Sequence, residues 1–312
     1  MFSSSRSAEK QSKLTPYFYI LPGVLAMFIS IILPGIFTIY YSFTNYSLKH
    51  FSDWKLIGFS NYERILVGSA KGELWSVLGW TCTWAILSIF LSLAVGMVLA
   101  LLLNNKNVKE RNLYRLLLIL PWALPSTITL LSWRGLLNSS FGPINRFLAD
   151  FGIASIPWLT NPLMAKISCL MVNLWISFPF MMITCLGALQ AIPEELYDAG
   201  KVDGANSWKM FWNITFPLMN SSTKPLLVSG FAMQFVNFGV IFLLTDGGPF
   251  IKTSTLSGST DLLSTYMYKM AFASANFDYG MSAACGVLLF LIVGTITFVN
   301  AKVSRSFDEV EA

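Results

Sequence analysis

The run LWSVLGWTCTWAILSIFLSLAVGMVLALLLNN, Leu74 to Asn105, carries no charged side chain from end to end. Wound as an α-helix it is about 48 Å long, more than the roughly 30 Å of a bilayer's hydrocarbon. Five further uncharged windows share the character, at 14–48, 116–133, 167–193, 225–245 and 279–301. They are continuous and rich in Leu, Ile, Phe and Met, without the period-two alternation of a membrane β-barrel. Lipid offers backbone groups no partner outside their own segment, so such windows read as spanning helices. The expected spans are about 17–44, 74–103, 114–135, 167–189, 225–244 and 279–301. The composition agrees: 54% of the 312 residues are hydrophobic and 12% charged, against roughly 25% charged in soluble domains.

Six spans place both ends on one side. With the N-terminus inside, the 21 Lys and Arg residues divide twelve inside to nine outside. The compact cluster Lys106, Lys109, Arg111 and Arg115 between the second and third spans carries most of that bias. The net charge of +5 therefore reads as topology; no basic face interleaved with aromatics points to nucleic acid. Residues 1–13 and 306–312 read as cytoplasmic tails of low order, flanking a transmembrane domain over 14–305. The first window is too long for a signal-peptide core and no small-residue cleavage site follows it, so it reads as a retained helix. The stretch 151–165, interrupted by Pro157 and Pro162, reads as a loop. Cys82, Cys169, Cys185 and Cys285 all lie in apolar windows. Their spacing fits neither a disulfide framework nor a metal site, and they read as small buried hydrophobes.

The loop 190–222 is far more patterned than a connection needs. Pro193 suits the first position of a helix, and Glu194 and Glu195 complement its dipole. Ile192, Leu196 and Ala199 make one apolar stripe. Gly204 can end this helix with a positive φ, and Asn206 or Ser207 can cap a second one. Trp208, Phe211 and Trp212 share a face before Pro217. The pattern predicts an amphipathic helix–corner–helix knob at the membrane surface. On amphipathicity alone it either packs on the bundle or is recognised by a partner.

Asp198-Ala199-Gly200, then Asp203-Gly204-Ala205, then Ile214 to Pro217, resemble the signature of membrane subunits of binding-protein-dependent ATP-binding-cassette importers. The family form is a Glu-Ala-Ala triplet, Asp-Gly-Ala, and an Ile-x-x-Pro ending. Asp198 keeps the charge of Glu, while Gly200 in place of Ala loosens the helix by roughly 1 kcal/mol. Leu21-Pro22, Phe43-Thr44, Gly58 to Tyr62, Leu244 to Pro249 and Asn300 to Lys302 also resemble carbohydrate-importer permeases. The likeness is to the larger membrane subunit of maltose-type importers, over about residues 15–305, without the extra N-terminal helices and inserted outer domain of the enterobacterial form. The resemblance implies an all-α type I importer fold in the bacterial cytoplasmic (inner) membrane. It implies a coupling helix carrying Glu195, Asp198, Ala199, Gly200, Asp203, Gly204 and Ala205. The implied partners are a second homologous permease, two ATPase subunits that bind ATP and Mg, and an extracytoplasmic sugar-binding protein docking on outer segments 45–73, 136–165 and 250–277. This chain itself is expected to bind no cofactor and no metal.

Two polar stripes fall inside the spans. Asn173, Ile176, Ser177 and Phe180 recur at i, i+3, i+4, i+7, as do Gly230, Met233, Gln234 and Asn237. Amides supply donors and acceptors for hydroxyls. Met233 and the rings of Trp175, Phe178, Phe180, Phe231, Phe235 and Phe238 can cover a sugar's C–H faces. Amides also bond across membrane helices with no ligand present. Alignment with the maltose-type family places sugar contacts on these eight positions, where Asn173 and Asn237 match and Ser177, Phe180, Met233 and Gln234 depart.

Other classes fit less well. The only histidine, His50, lies outside the windows, and no Ser–His dyad or Asp pair sits within them, which argues against an intramembrane enzyme. Gly200-Lys201 lacks the upstream glycine and downstream Ser or Thr of a nucleotide loop. A secondary carrier would want charged coupling residues inside its spans. A scaffold subunit without its own substrate path is the alternative.

Overall fold

The computed structural model describes residues 3–105, 107–250 and 256–303, and its regular elements are helices. Lys106, Lys252, Arg305 and the acidic tail 306–312 lie outside the described residues.

Helix α1 (Ser3–Met27) passes through a π-turn (Phe28–Ile32) into α2 (Leu33–Ser42). Pro34 lacks an N–H, and the wide turn just before it absorbs the gap in the hydrogen-bond ladder. The helix begins at Ser3, so the segment 1–13 is helical from there on, where the composition predicts a tail of low order. The span 15–42 buries none of its apolar window within the chain. Its last carbonyls are held by the short helix α3 (Ser60–Leu66): the buried Asn61 donates Nδ2 to Ser42 O at 3.0 Å and Thr44 O at 2.7 Å, and Tyr62 OH donates to Ser42 Oγ at 2.7 Å.

Helix α4 (Lys71–Asn104) forms the longest seam of the molecule with α8 (Pro162–Gln190). Small buried residues line the α4 side: Ser88, Ser92, Gly96 and Ala100. With no hydrophobic force between helices in lipid, close packing of small residues is the main attraction. At Gly96 a Cβ would lie 2.7 Å from Met182 N, so only glycine permits this approach. Helix α8 starts five residues before the expected 167. Pro162, which reads as an interruption, is a first-turn proline, and Asn161 caps the helix by accepting from Leu163 N at 3.0 Å and Met164 N at 3.1 Å.

The predicted span 114–135 is two helices, α5 (Arg111–Ala123) and α6 (Ser126–Leu136), bent by 89°. Leu124 precedes Pro125 and takes the extended conformation (ψ 145°) that such a position favours. The connection 137–161 is organised by helix α7 (Pro143–Asp150), whose Asn145 bonds to Ser155 Oγ, Ile156 and the Trp158 indole.

The helices α9 (Glu194–Val202) and α10 (Ser207–Met210) and a π-turn (Phe211–Thr215) lead into α11 (Phe216–Phe235). This last helix begins nine residues before the expected 225 and breaks at Val236–Phe238 before α12 (Gly239–Leu244). At the break Ser264 Oγ donates to Asn237 O at 2.6 Å, replacing a lost helical donor. Beyond lie α13 (Leu263–Phe272) and α14 (Tyr279–Val303).

Among the described residues, four helices are long and apolar enough to cross a bilayer: 15–42, 71–104, 162–190 and 279–299. The bent α5–α6 pair makes a fifth if its halves are one span. The predicted fifth span is not among them, since α11 opens on the polar run Asn220 to Lys224.

The segment 250–277, expected as polar and aromatic pieces of an outer loop, contains the largely buried helix α13. Asp261 and Lys269 pair there at 2.8 Å, with side chains 0% and 6% exposed. Burial pushes the Asp261 carboxyl above its usual range, while Lys269, Gly258 N and Thr265 Oγ1 pull it back. The turn Asp246 to Pro249 lies flat on this pair. Gly247 has φ +74°, and a Cβ there would collide with the Asp261 carboxylate and the Lys269 ammonium. Cys169, Cys185 and Cys285 are buried in three separate apolar clusters and Cys82 is half-buried; all are free thiols.

Candidate functional site

The loop element is built as a braced knob. Pro193 is the N-cap of α9 and Glu194 its first residue. Gly204, at φ +72°, reverses the chain, with Gly204 N bonding to Lys201 O and Ala205 N to Gly200 O at 2.8 Å. Asn206, not Ser207, caps the second helix, accepting from Lys209 N at 2.9 Å. Two contacts tie α9 to the π-turn Phe211–Thr215 that leads into α11. Tyr197 OH bonds Thr215 Oγ1 at 3.0 Å. Gly200 is buried, where a Cβ would meet Ile214 Cδ1 at 3.3 Å. Gly200 is thus a packing position as well as a loosened helical one. The opposite surface faces outward: Glu195, Asp198, Ala199, Asp203 and Gly204 are exposed, and Ala205 is half-buried. Asp198 bonds Lys201 at 2.8 Å and holds that ammonium above its ordinary range. Leu196, Val202, Trp208 and Trp212 add exposed apolar area. A concavity of about 440 Å³, walled by Asn104, Arg111, Gln190, Tyr197 and Lys201, runs beneath it.

The two polar stripes lie on α8 and on α11 with Asn237 in the break just after it, and α4 joins them. Ser177 Oγ meets Ser92 Oγ of α4 at 2.6 Å. The Trp84 indole of α4 donates to Gln234 Oε1 at 3.1 Å, and that oxygen also accepts Asn237 Nδ2 at 3.2 Å. Gly230 packs on Ile89 of α4. Asn173 is buried and its Nδ2 has no partner, a state that costs about 1–3 kcal/mol. Ile176 and Ser177 are half-buried, and Phe180 and Met233 are exposed at 43% and 70%. The stripes therefore form an open face, not an enclosed pocket.

Not every expected ring joins them. Phe235 is buried in an apolar cluster with Tyr266, and Trp175 packs edge-on against Trp133 of α6, 5.6 Å between centroids. Phe238 stacks on Phe242. Phe180 lies 6.0 Å from Trp122 of α5. The stripe reading misses Trp84 and Ser92. Their signal is the spacing Trp80, Trp84, Ser88, Ser92, a four-residue repeat of polar tips in an otherwise apolar window. Among the described residues no group of His, Cys, Asp and Glu is placed to hold a metal ion.

Residues 92–308 match the family described as binding-protein-dependent transport system inner membrane component. The chain is 45% identical over 253 residues to the maltose/maltodextrin transport system permease protein MalF of Vibrio vulnificus (strain YJ016), covering 80% of this chain and 48% of that protein. It is 43% identical over 258 residues to the protein of the same description from Yersinia pestis, with 81% and 48% covered. The chain thus spans about half the length of the curated relatives it matches. Its fold superposes on a chain of a bacterial ABC transporter involved in the import of the acidic polysaccharide alginate, with a TM-score of 0.76 at 22% identity, covering 97% of this chain and 99% of that one.

Proposed function

The chain belongs to the family of inner-membrane components of binding-protein-dependent transport systems, and on that footing we propose that it is the permease subunit of an ATP-driven oligosaccharide importer. It forms half of a translocation pore in the bacterial inner membrane, with six crossings and both termini cytoplasmic; α5–α6 and α11–α12 supply the third and fifth. A second homologous permease closes the open face of the stripes. Two ATPase subunits, which carry the ATP and Mg, bind on the cytoplasmic side, and an external sugar-binding protein delivers the substrate. Relatives named for maltose and maltodextrin make a neutral glucose oligomer the first candidate, and the absence of basic residues from both stripes favours it over an anionic one.

The observation that carries this reading is the knob at Glu194–Thr215. One surface of α9 packs through Tyr197 and Gly200 on the π-turn Phe211–Thr215 that runs into α11, and the other offers a charged rim around exposed apolar area, the make-up of a docking surface. A motion imposed on that surface passes into α11, and so into Gly230, Met233, Gln234 and Asn237. The stripes are the proposed sugar path, with Asn173, Ile176, Ser177 and Phe180 on the facing helix.

Replacing Asn237→Ala removes an amide worth about 1 kcal/mol of hydrogen bonding, and uptake of maltopentaose below saturation should fall by about five- to tenfold. Co-purification of the ATPase subunits should be unchanged. Wild-type uptake by that variant removes the stripes from the sugar path.

A further inference from the structure

Where α4 and α8 begin, the chain forms a second cleft, of about 720 Å³, inside the size range of small-ligand sites. Its walls are Glu73, Ser76 and Trp80 of α4, Lys166 of α8, and Ser257 and Ser259 of the segment before α13. None of these residues belongs to the stripes or the knob.

The chemistry of the walls is that of hydroxyl recognition. The half-buried Lys166 ammonium lies 4.5 Å from the centroid of the Trp80 ring, and no carboxylate pairs with it among the described residues. Ser259 Oγ is buried without a hydrogen-bond partner. Glu73 Oε2 accepts from Ser257 N at 3.2 Å and the carboxylate also bonds the Tyr266 hydroxyl; two carboxylate oxygens have lone pairs beyond these two bonds. Donors, an acceptor and an indole wall thus line one space.

The cleft also lies in line with the stripes. Trp80 packs edge-on against Trp84, 6.4 Å between centroids, and Trp84 holds Gln234. Glu73 is eleven residues before Trp84, about 16 Å further along the helix axis. With the N-terminus inside, this end of α4 is the external end.

We propose that the cleft walled by Glu73, Ser76, Trp80, Lys166, Ser257 and Ser259 is an external saccharide subsite, which holds a sugar's hydroxyls at the mouth of the path before they reach the stripes. The assignment rests on the proposed transport function. Its neutral and charged walls take an uncharged oligosaccharide by hydrogen bonds from Lys166 and Ser259 and to Glu73, with Trp80 beside the ring's C–H groups.

Cysteine protection tests it. Ser76 is exposed, so Ser76→Cys sets a thiol that a maleimide can reach in the cleft wall, and Met233→Cys sets one on the stripes. Both are made with Cys82→Ala and reconstituted as the full chain with the subunits that co-purify with it. Each is labelled with a membrane-impermeant maleimide, with and without maltopentaose. At about four times Kd the sugar should slow labelling of Ser76→Cys about fivefold, and Lys166→Gln should shift the half-maximal concentration upward. Unchanged labelling of Ser76→Cys under saturating maltopentaose overturns the subsite, as does equal slowing by the non-saccharide polyol sorbitol or by added phospholipid alone. Protection of Met233→Cys without Ser76→Cys leaves the stripes standing and the subsite refuted. Protection of Ser76→Cys without Met233→Cys does the reverse.

Discussion

The segments 192–217 and 245–272 both connect helices, and each carries an acid–lysine pair on the opposite side from the other's. In the first, Glu195, Asp198, Lys201 and Asp203 all face outward on a capped knob. In the second, Asp261 and Lys269 turn inward and meet at 2.8 Å beneath the Gly247 turn. The exposed charges contribute little to the fold, because an exposed pair in water gains about as much as it loses in side-chain entropy. The buried pair is costly to leave half-made. The contrast teaches that a patterned polar loop can be a surface for another protein or a joint within this one, and that burial separates the two.

Three experiments break or sharpen that contrast. Deleting residues 194–210 should abolish sugar-stimulated ATP hydrolysis by the assembled transporter while the chain still reaches the membrane at normal levels. Stimulation that survives the deletion removes the coupling role. Replacing Lys269→Ala strands the Asp261 carboxylate in the interior and should destabilise the chain by about 3–5 kcal/mol. The unfolding midpoint in detergent measures it, and Asp261→Asn combined with Lys269→Met should recover a large part. A loss no greater than that of an exposed charge such as Lys201→Ala would show that the pair carries nothing. Gly200→Ala should have the smallest effect. The added methyl gains up to about 1 kcal/mol of helix propensity, but it crowds Ile214 Cδ1 at 3.3 Å, a flexible side-chain end. Uptake should stay within about twofold of wild type, since the knob is braced by Tyr197 and Thr215 as well. Complete uncoupling would mean that the looseness at Gly200 itself is required.

The knob was the most legible part of the chain. Its signals are local: a proline and two acids opening a helix, a glycine at φ +72°, an asparagine cap. The stripes were half legible. Seven of the eight positions lie on α8 and α11 and Asn237 falls in the break after α11, but α4 with Trp84 and Ser92, which joins them, is remote in sequence and nothing near Gln234 announces it. The bend between α5 and α6 is only partly legible: Pro121 and Pro125, four residues apart, mark a weakened ladder without stating the angle. The start of α8 was misread at Pro162, where the same residue that interrupts a helix also opens one.

What the sequence determined by itself was where the chain can enter lipid and where its helices can start and stop. Both follow from properties of contiguous residues, hydrophobic length and the orphan backbone groups at helix ends. Only the tertiary structure decided which polar groups are enclosed. Asp261 and Lys269, Asn61 beneath the end of α2, and Gly96 against Met182 acquire their roles from partners brought together by packing. A charge or an amide carries no mark of its burial until the surface that covers it has folded over it.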